Sequence, residues 1–284
     1  MIRLALTDLD DTLIPYGQGR ASDAAIAALR AANAAPDVVA GPVSGRSIPM
    51  MDWMFGQEAA DCFATGVFSN GQVVRLGGRE LVHHAPSRET LDELARYLRE
   101  REGESVALTV YDDVDGREFC IGVTLEEMAR HPKAYHAFHL AAPCLPEGEF
   151  VKTNIHADRP RAHMEELRRE LEERFSDLAF VFPSATSSTI DITPAGVSKR
   201  TGVECLMEAL GVSADEVCVF GDSENDLSAL EAVPNSVAVA NAMPKVAKTA
   251  RWHIGPASED AVASALLDIA EAAKSGAMPA LMRG

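Results

Sequence analysis

The sequence predicts an α/β protein whose parallel sheet is interrupted by an α+β insertion. Short apolar strand patterns alternate with helix patterns over residues 1–81, and the same rhythm, typical of βαβ units, returns after about residue 188. Over residues 82–187 the pattern changes to alternating strands with one polar face and to amphipathic helices. At 284 residues the chain is longer than one typical domain. We therefore expect a core domain formed by residues 1–81 and 188–284, and an inserted domain at 82–187.

Each predicted element follows from a local pattern. Apolar runs bounded by polar loops indicate buried strands, and apolar residues three and four apart indicate helices. In the core these patterns predict strands at 2–7, 37–41, 63–68, 216–220 and 236–239, and helices at 22–33, 46–55, 198–210, 225–231 and 258–274. Asn70 and Gly71 predict a hairpin turn before a strand at 72–76. The insertion shows strand patterns at 105–111 and 118–123, a helix that Ser87 is positioned to cap, and a second helix at 160–175.

Composition and charge limit the classes of function. Hydrophobic residues make up 47% of the chain, and no apolar stretch approaches the roughly 20 residues that a membrane helix needs. The net charge of −17 argues against nucleic acid as a partner and means that an anionic substrate needs local positive charge or a metal. The strand pattern from Ile2 leaves no room for a signal peptide, and the five cysteines include no C-x-x-C pair. We expect a cytoplasmic monomer or homodimer that binds neither nucleic acid nor membrane.

Asp8 and Asp10 come directly after the first predicted strand. Ligands bind at the carboxyl ends of the strands in an open parallel sheet, so both side chains are candidates for a site there. Two acids can divide the work, because one can attack as a nucleophile while the other moves protons. Taken alone, the pair is equally consistent with a solvated loop or a helix cap.

Two further segments carry groups that suit an anion. Ser44, Gly45 and Arg46 lie between the second strand and a helix, where a hydroxyl and backbone N–H groups can bind an anion. Taken alone, a serine at this point is more often only a helix cap. Lys199 stands at the start of another helix, where the helix dipole disfavours a cation unless an anion lies nearby. Taken alone, a solvated lysine is the favoured interpretation.

A last acidic segment follows the apolar strand 216–220. Asp222 comes at the strand end, and Asp226, four residues later, would fall on the same side of a helix that begins there. With the amide of Asn225 they form an oxygen-rich set of the type that Mg²⁺ accepts. Helix capping by Asp222 explains this segment equally well when it is considered by itself.

Together the four segments supply a nucleophile, an acid/base, a hydroxyl, a cation and metal-binding acids, which are the groups that phosphoryl transfer needs. In this the chain resembles the haloacid dehalogenase superfamily, whose four ordered motifs match Asp8-x-Asp10, Ser44, Lys199 and Gly221-Asp222-x-x-Asn225-Asp226. The hairpin at 70–71 and the segments 192–199 and 239–242 are similar to its Cof-type branch. That resemblance implies a Rossmann-like core with an α+β cap of the C2B type at 82–187.

The resemblance also implies a role for each matched position. Asp8 would attack phosphorus and form an aspartyl-phosphate, and Asp10 would protonate the leaving oxygen and then deprotonate water. The remaining positions divide into phosphate-binding Ser44, Gly45 and Lys199, the Mg²⁺ ligands Asp8, Asp10, Asp222 and Asp226, and the candidate substrate contacts Arg46, Asn70 and Asn225. Three positions depart from the usual pattern: Asp11 stands where the family often has glycine, Ser44 replaces the commoner threonine, and Ala229 stands where a methionine is frequent in this branch.

The predicted function is a Mg²⁺-dependent phosphatase of small phosphate esters, with sugar phosphates favoured over nucleotide or flavin phosphates. Two alternatives stay open. One is a phosphotransferase or sugar phosphomutase that passes the phosphoryl group to a hydroxyl instead of water. The other is a catalytically idle protein that binds a phosphorylated ligand on the same fold.

Overall fold

The structure, a computed structural model, describes residues 1–102, 106–114, 116–132, 135, 138–184 and 187–283. The chain divides into two units: the first comprises Met1–Val82 and Ser198–Gly284, and the second comprises His83–Val197. Residues 188–197, which we expected in the core, therefore belong with the second unit. Among the described residues, none of the helices combines the length and the apolar character needed to cross a membrane.

The elements follow one another along the chain in three groups. The first part of the chain forms β1 (Leu4–Thr7), α1 (Asp23–Ala34), β2 (Val39–Pro42), α2 (Ile48–Phe55), β3 (Gly66–Phe68), β4 (Val73–Leu76) and β5 (Arg79–His83). The second unit forms α3 (Arg88–Glu102), β6 (Val106–Tyr111), β7 (Glu118–Ile121), α4 (Leu125–Arg130), β8 (His139–Ala142), β9 (Thr153–Ala157), α5 (Arg161–Arg174), β10 (Leu178–Val181) and β11 (Ile190–Pro194). The last part forms α6 (Lys199–Leu210), β12 (Val217–Gly221), α7 (Leu227–Ala232), β13 (Asn235–Ala238), α8 (Pro244–Thr249), β14 (Trp252–His253) and α9 (Ala261–Ala273). Residue 105, included in the predicted strand 105–111, lies outside the described residues.

A five-stranded parallel sheet organises the first unit, with the strand order β14-β13-β12-β1-β2. Two neighbouring interior strands, β1 and β12, are buried along their whole length, as their apolar sequences require in a sheet covered on both faces. Thr7 pairs with Phe220 on one side and with Pro42 on the other. The loops that follow β1, β2 and β12 therefore leave the sheet at one edge and at the same level. The predicted α/β class with a parallel sheet is confirmed.

The strand predicted at 63–68 does not join this sheet as a regular strand. Residues 57–63 form a 3₁₀ helix, and β3 pairs antiparallel with β4 in a separate sheet of order β3-β4-β5. A single parallel bridge between Val43 and Val67 marks the contact with the β2 loop. The predicted turn at Asn70 and Gly71 does join β3 to β4.

The second unit contains a six-stranded sheet of order β10-β11-β9-β6-β7-β8. Its neighbouring strands are antiparallel except β7 and β8, which run parallel. Apolar side chains of α3 and α5 pack with those on one face of the sheet in a single core. Because side chains alternate along a strand, the other face carries polar groups that include Tyr111, Lys152, Asn154 and Asp191. β11 pairs with β10 and β9, which is why residues 190–194 belong to this unit.

Candidate active site

Asp8 and Asp10 occupy different environments in the loop after β1. The side chain of Asp8 is buried, and its backbone N–H donates to the carbonyl of Phe220 at 3.0 Å. Leu9 is also buried, and its carbonyl accepts hydrogen bonds from three following N–H groups, which closes a tight turn. The side chain of Asp10 is half exposed. The turn therefore presents one buried carboxylate and one accessible carboxylate at the same sheet edge.

Lys199 is the positive charge at the centre of the site. It is the first residue of α6, its side chain is fully buried, and its Nζ donates to Asp8 Oδ1 and Asp226 Oδ1, each at 2.6 Å. Burial by itself would lower the pKa of Lys199, but the two carboxylates outweigh this effect and hold the pKa above its usual value. The carboxylates of two aspartates are thus the anions that offset the unfavourable position of this cation at the start of a helix.

Among the described residues, Asp226 accepts hydrogen bonds only from N–H donors. Its Oδ1 accepts from Lys199, and its Oδ2 accepts from the backbone N–H groups of Asp222 and Ser223, both at 2.9 Å. The approach is close, since a Cβ on Gly221 would lie 2.6 Å from the Asp226 side chain. A 3₁₀ turn at Glu224–Asp226 precedes α7 and brings the carboxylate back to these groups. Asp226 therefore holds Lys199 and the loop after β12 in place.

Asp222 is held by hydroxyl groups. Thr12 Oγ1 donates to its Oδ1 at 2.9 Å and Ser223 Oγ donates to its Oδ2 at 2.8 Å. Burial, reinforced by the charge of Asp226, raises the pKa of Asp222 to about 7. Burial likewise raises the pKa of Asp8 well above its usual value, although Lys199 opposes this shift. The cluster thus holds the carboxyl groups of Asp8, Asp222 and Asp226 beside the ammonium of Lys199.

The acidic cluster fits a divalent cation. Ligand oxygens of Asp8, Asp222 and Asp226 all lie within 4.8 Å of one another, and all three residues are buried. Carboxylate oxygens are the donors that Mg²⁺ prefers, and a cation would supply the missing positive charge. Both oxygens of Asp226 already accept N–H groups, so Asp8 and Asp222 are the better candidates for direct ligands.

Ser44 and Arg46 lie in the loop after β2. Ser44 is buried, its N–H donates to the carbonyl of Val67 at 2.8 Å, and its carbonyl accepts from the N–H of Asn70 at 2.9 Å. Its Oγ accepts a hydrogen bond from the N–H of Arg46 at 3.1 Å. The hydroxyl hydrogen of Ser44 therefore points away from this N–H and can donate to another group. Ser47, not Ser44, is the residue that precedes α2, so the capping interpretation of Ser44 is wrong. Gly45 is half-buried between Ser44 and Arg46.

Asn70 and Asn225 meet at the site. Asn225 Nδ2 donates to Asn70 Oδ1 at 3.1 Å, and Asn225 Oδ1 is buried without a hydrogen-bond partner among the described residues. Asn70 has a φ of +57°, a left-handed conformation that asparagine tolerates better than most residues. Gly71 must be glycine, because a Cβ there would lie 2.0 Å from the carbonyl oxygen of Ser198.

Three residues with no assigned role in the sequence prediction support the site. Thr12 and Ser223 orient Asp222, and Asn241 Nδ2 donates to the carbonyl of Asp11 at 2.7 Å. Thr12 and Ser223 lie inside the acidic segments, so their position was a usable signal. Asn241 lies 230 residues from its partner, and nothing local in the sequence pairs them.

Comparisons with known proteins agree with this architecture. The chain is 27% identical over 252 residues to an HMP-PP phosphatase of Klebsiella pneumoniae, a match that covers 87% of each protein. Over 81 residues it is 38% identical to the phosphoglycolate phosphatase of Methanothermobacter thermautotrophicus, which is 28% of this chain and only 37% of that protein's length. The solved structure of a subclass IIB sugar phosphatase, BT4131, matches this chain with a TM-score of 0.71 at 19% identity. The match covers 93% of this chain and 97% of the BT4131 chain. That likeness shows a shared fold.

The family itself is shown by a longer match. Residues 5–266 match the haloacid dehalogenase-like hydrolase family, and this range contains β2, β12, all of β1 except its first residue, and the loops that follow these strands. The resemblance stated from the four sequence motifs is thereby confirmed. The chain belongs to the haloacid dehalogenase-like hydrolases.

Proposed function

We propose that this protein is a Mg²⁺-dependent phosphatase of small phosphorylated metabolites that works through an aspartyl-phosphate on Asp8. The observation that carries the proposal is the buried ammonium of Lys199, which contacts the Asp8 carboxylate at 2.6 Å beside the acidic residue Asp222. An anionic nucleophile can approach an anionic phosphate only where positive charge offsets the repulsion. The contact supports the proposal, because it brings positive charge to the carboxylate that we propose as the nucleophile.

In the first step an Asp8 carboxylate oxygen attacks phosphorus, and the bond from phosphorus to the ester oxygen breaks. Asp10, which is more exposed and so accessible to the leaving group, gives its proton to that oxygen. The Ser44 hydroxyl and Lys199 hold the transferring phosphoryl oxygens, assisted by the backbone at Gly45. The products of this step are the free alcohol and the aspartyl-phosphate.

In the second step Asp10, now ionised, removes a proton from water as the water oxygen attacks phosphorus. The bond between phosphorus and Asp8 breaks, which restores the Asp8 carboxylate and releases inorganic phosphate. Asp8, the Asp10 carbonyl and Asp222 would hold Mg²⁺, and Asp226 would support this set through Lys199 and the backbone. The bound cation supplies charge neutralisation for the phosphoryl oxygens.

We further propose that the second unit is the cap of this family and determines the substrate. Sugar phosphates are the first class that we propose, with nucleotide and flavin phosphates next. The sugar phosphatase that shares the fold supports this order, and the similarity to an HMP-PP phosphatase supports including organic diphosphates among the compounds tested.

The experiment is phosphate release from a panel of sugar phosphates, nucleotides, flavin phosphates, organic diphosphates and phosphoglycolate, measured with Mg²⁺ and with a chelator. We expect selective, Mg²⁺-dependent release that Asp8→Asn abolishes. Asp61→Asn is the matched control, because Asp61 is an exposed carboxylate of the same unit paired with Arg30. Release that survives in Asp8→Asn contradicts the proposal. Transfer of the phosphoryl group to another hydroxyl, with little free phosphate, would identify a phosphotransferase instead.

A further inference from the structure

Arg46 and Asp10 form a two-point ion pair across the site edge. Arg46 Nε lies 2.9 Å from Asp10 Oδ2, and Nη2 lies 2.9 Å from Oδ1, so both carboxylate oxygens accept from one guanidinium. A single hydrogen bond would leave the carboxylate free to rotate. Two parallel bonds between planar groups fix both its position and its plane.

The guanidinium extends from a well-anchored backbone. The Arg46 N–H donates to Ser44 Oγ at 3.1 Å, and the Arg46 carbonyl accepts from the N–H of Ser69 at 2.9 Å. Ser44 is itself held by hydrogen bonds to the loop that contains Asn70. The ion pair thus connects Asp10, in the loop after β1, to the loop after β2 that carries the phosphate-binding hydroxyl.

Asp10 needs such a connection. Its side chain is 48% exposed, and two other acidic residues, Asp8 and Asp11, interact with it repulsively. Proton transfer requires a carboxyl oxygen within hydrogen-bond reach of the leaving oxygen, and small displacements are costly to the rate. An exposed ion pair contributes little to the stability of the fold. The main effect of this pair is therefore to orient the Asp10 carboxylate.

We propose that Arg46 is a positioning residue. It fixes the orientation of Asp10 in the ionised form that the ion pair shows, so that the carboxyl group, once it has taken a proton from water in the second step, lies within reach of the next leaving oxygen. This role rests on the proposed function, because it takes Asp10 as the general acid. It differs from the interpretation of Arg46 as a substrate contact, in which the guanidinium would bind the phosphate ester itself. The two roles predict a different dependence of kcat/KM on the leaving group of the substrate.

The experiment compares kcat/KM for two probes, p-nitrophenyl phosphate and a simple alkyl phosphate. A nitrophenolate leaves without protonation, whereas an alkoxide needs the acid. Arg46→Gln should lower kcat/KM for the alkyl phosphate roughly 10- to 100-fold and leave the aryl phosphate within about threefold of wild type. Arg46→Lys keeps the charge but loses the two-point geometry, so it should recover only part of the loss. An equal loss on both probes, a change in KM alone, or no loss would overturn the proposal.

A double-mutant cycle tests whether Arg46 acts through Asp10. Asp10→Asn should show the same leaving-group selectivity, and adding Arg46→Gln to it should cause little further loss. Multiplied losses in the double variant would mean that Arg46 acts independently, which contradicts the positioning role. Asp8→Asn distinguishes failure of the proposed function from failure of the positioning role of Arg46. Activity that survives in Asp8→Asn refutes the proposed function, whatever the Arg46 variants show.

The chain offers a matched control. Arg30 forms a similar fork with Asp61, with Nε to Oδ2 and Nη2 to Oδ1 both at 2.8 Å, on the exposed surface of the same unit. Arg30→Gln removes the same type of ion pair away from the acidic cluster. We expect it to leave the alkyl-to-aryl ratio of kcat/KM unchanged. A changed ratio in this variant would show that the assay reports a general structural effect and would overturn the assignment to Arg46.

Discussion

The hydrogen-bond partners of Asp226 and Asp222 predict that two similar changes, Asp226→Asn and Asp222→Asn, differ strongly in their effect on stability. All three partners of Asp226 are N–H donors: the Lys199 ammonium and the backbone N–H groups of residues 222 and 223. In Asp226→Asn only one oxygen remains to accept, and the new NH₂ group must face a donor on one side or the other. The partners of Asp222 are the hydroxyls of Thr12 and Ser223, which can turn to accept as well as donate.

The magnitudes follow from these contacts. Asp226→Asn loses a charge-assisted hydrogen bond to a fully buried lysine and buries two opposed donors, which should lower the free energy of unfolding by about 2–4 kcal/mol. Asp222→Asn keeps its two hydrogen bonds and removes a buried carboxylate whose pKa is already raised. We expect its free energy of unfolding to stay within about 1 kcal/mol of wild type. Both variants should lose Mg²⁺-dependent activity.

Urea unfolding in the presence of a chelator measures the difference without a contribution from bound metal. Tryptophan fluorescence is a suitable probe, because the two tryptophans, Trp53 and Trp252, lie in the unit that holds the site. Far-UV circular dichroism should be recorded in parallel to follow both units. Equal destabilisation by the two changes, or none by Asp226→Asn, would refute this account of how the cluster is held together.

Three further predictions concern titration, a buried ion pair and the turn after Asp10. Burial raises the pKa values of Asp222 and Asp8, so the folded, metal-free protein retains protons that the unfolded chain releases between about pH 4 and pH 7. In chelator, the free energy of unfolding of wild type relative to that of Asp222→Asn should therefore fall as pH rises through this window, and a relative rise would contradict the shifts. Lys152→Met removes the ammonium group that lies 2.6 Å from the buried Asp191 carboxylate, and we expect it to lower the free energy of unfolding in urea by about 3–5 kcal/mol, measured by circular dichroism. Adding Asp191→Leu should recover most of the loss, and a further loss would count against the pairing. Asp11 has a φ of +61°, so Asp11→Gly should be tolerated while Asp11→Val loses about 1–2 kcal/mol, and equal thermal midpoints would argue against strain there.

The placement of Asp8, Asp222 and Lys199 was predictable from the sequence. The two aspartates follow apolar runs that can only be buried strands, and parallel strands bring their carboxyl ends to one edge. Lys199 was predictable only in combination with the acidic segments, because the helix-start position by itself favoured a solvated lysine and the side chain is in fact buried. Both arguments depend on local pattern and simple electrostatics, which a sequence contains.

The remaining features depend on contacts between distant segments. The Arg46–Asp10 pair requires the side-chain conformations of two loops 36 residues apart, and the sequence led us to consider Arg46 as a substrate contact. Asp226 was expected on the side of a helix, but a 3₁₀ turn directs it back to backbone N–H groups. The second unit was expected to end at residue 187, and it ends at Val197. The boundary depends on the pairing of β11 with β10 and β9, and local sequence patterns do not reveal strand pairing.

The measurement that tests the central claim most directly is the mass of the peptide that contains Asp8 after acid quenching during turnover. With Mg²⁺ and a substrate found in the phosphate-release panel, the account predicts a phosphoryl adduct on Asp8, with no adduct in the presence of chelator or in Asp8→Asn. Stable adduct on another residue, together with turnover that persists in Asp8→Asn, would contradict the assignment of Asp8 as the nucleophile.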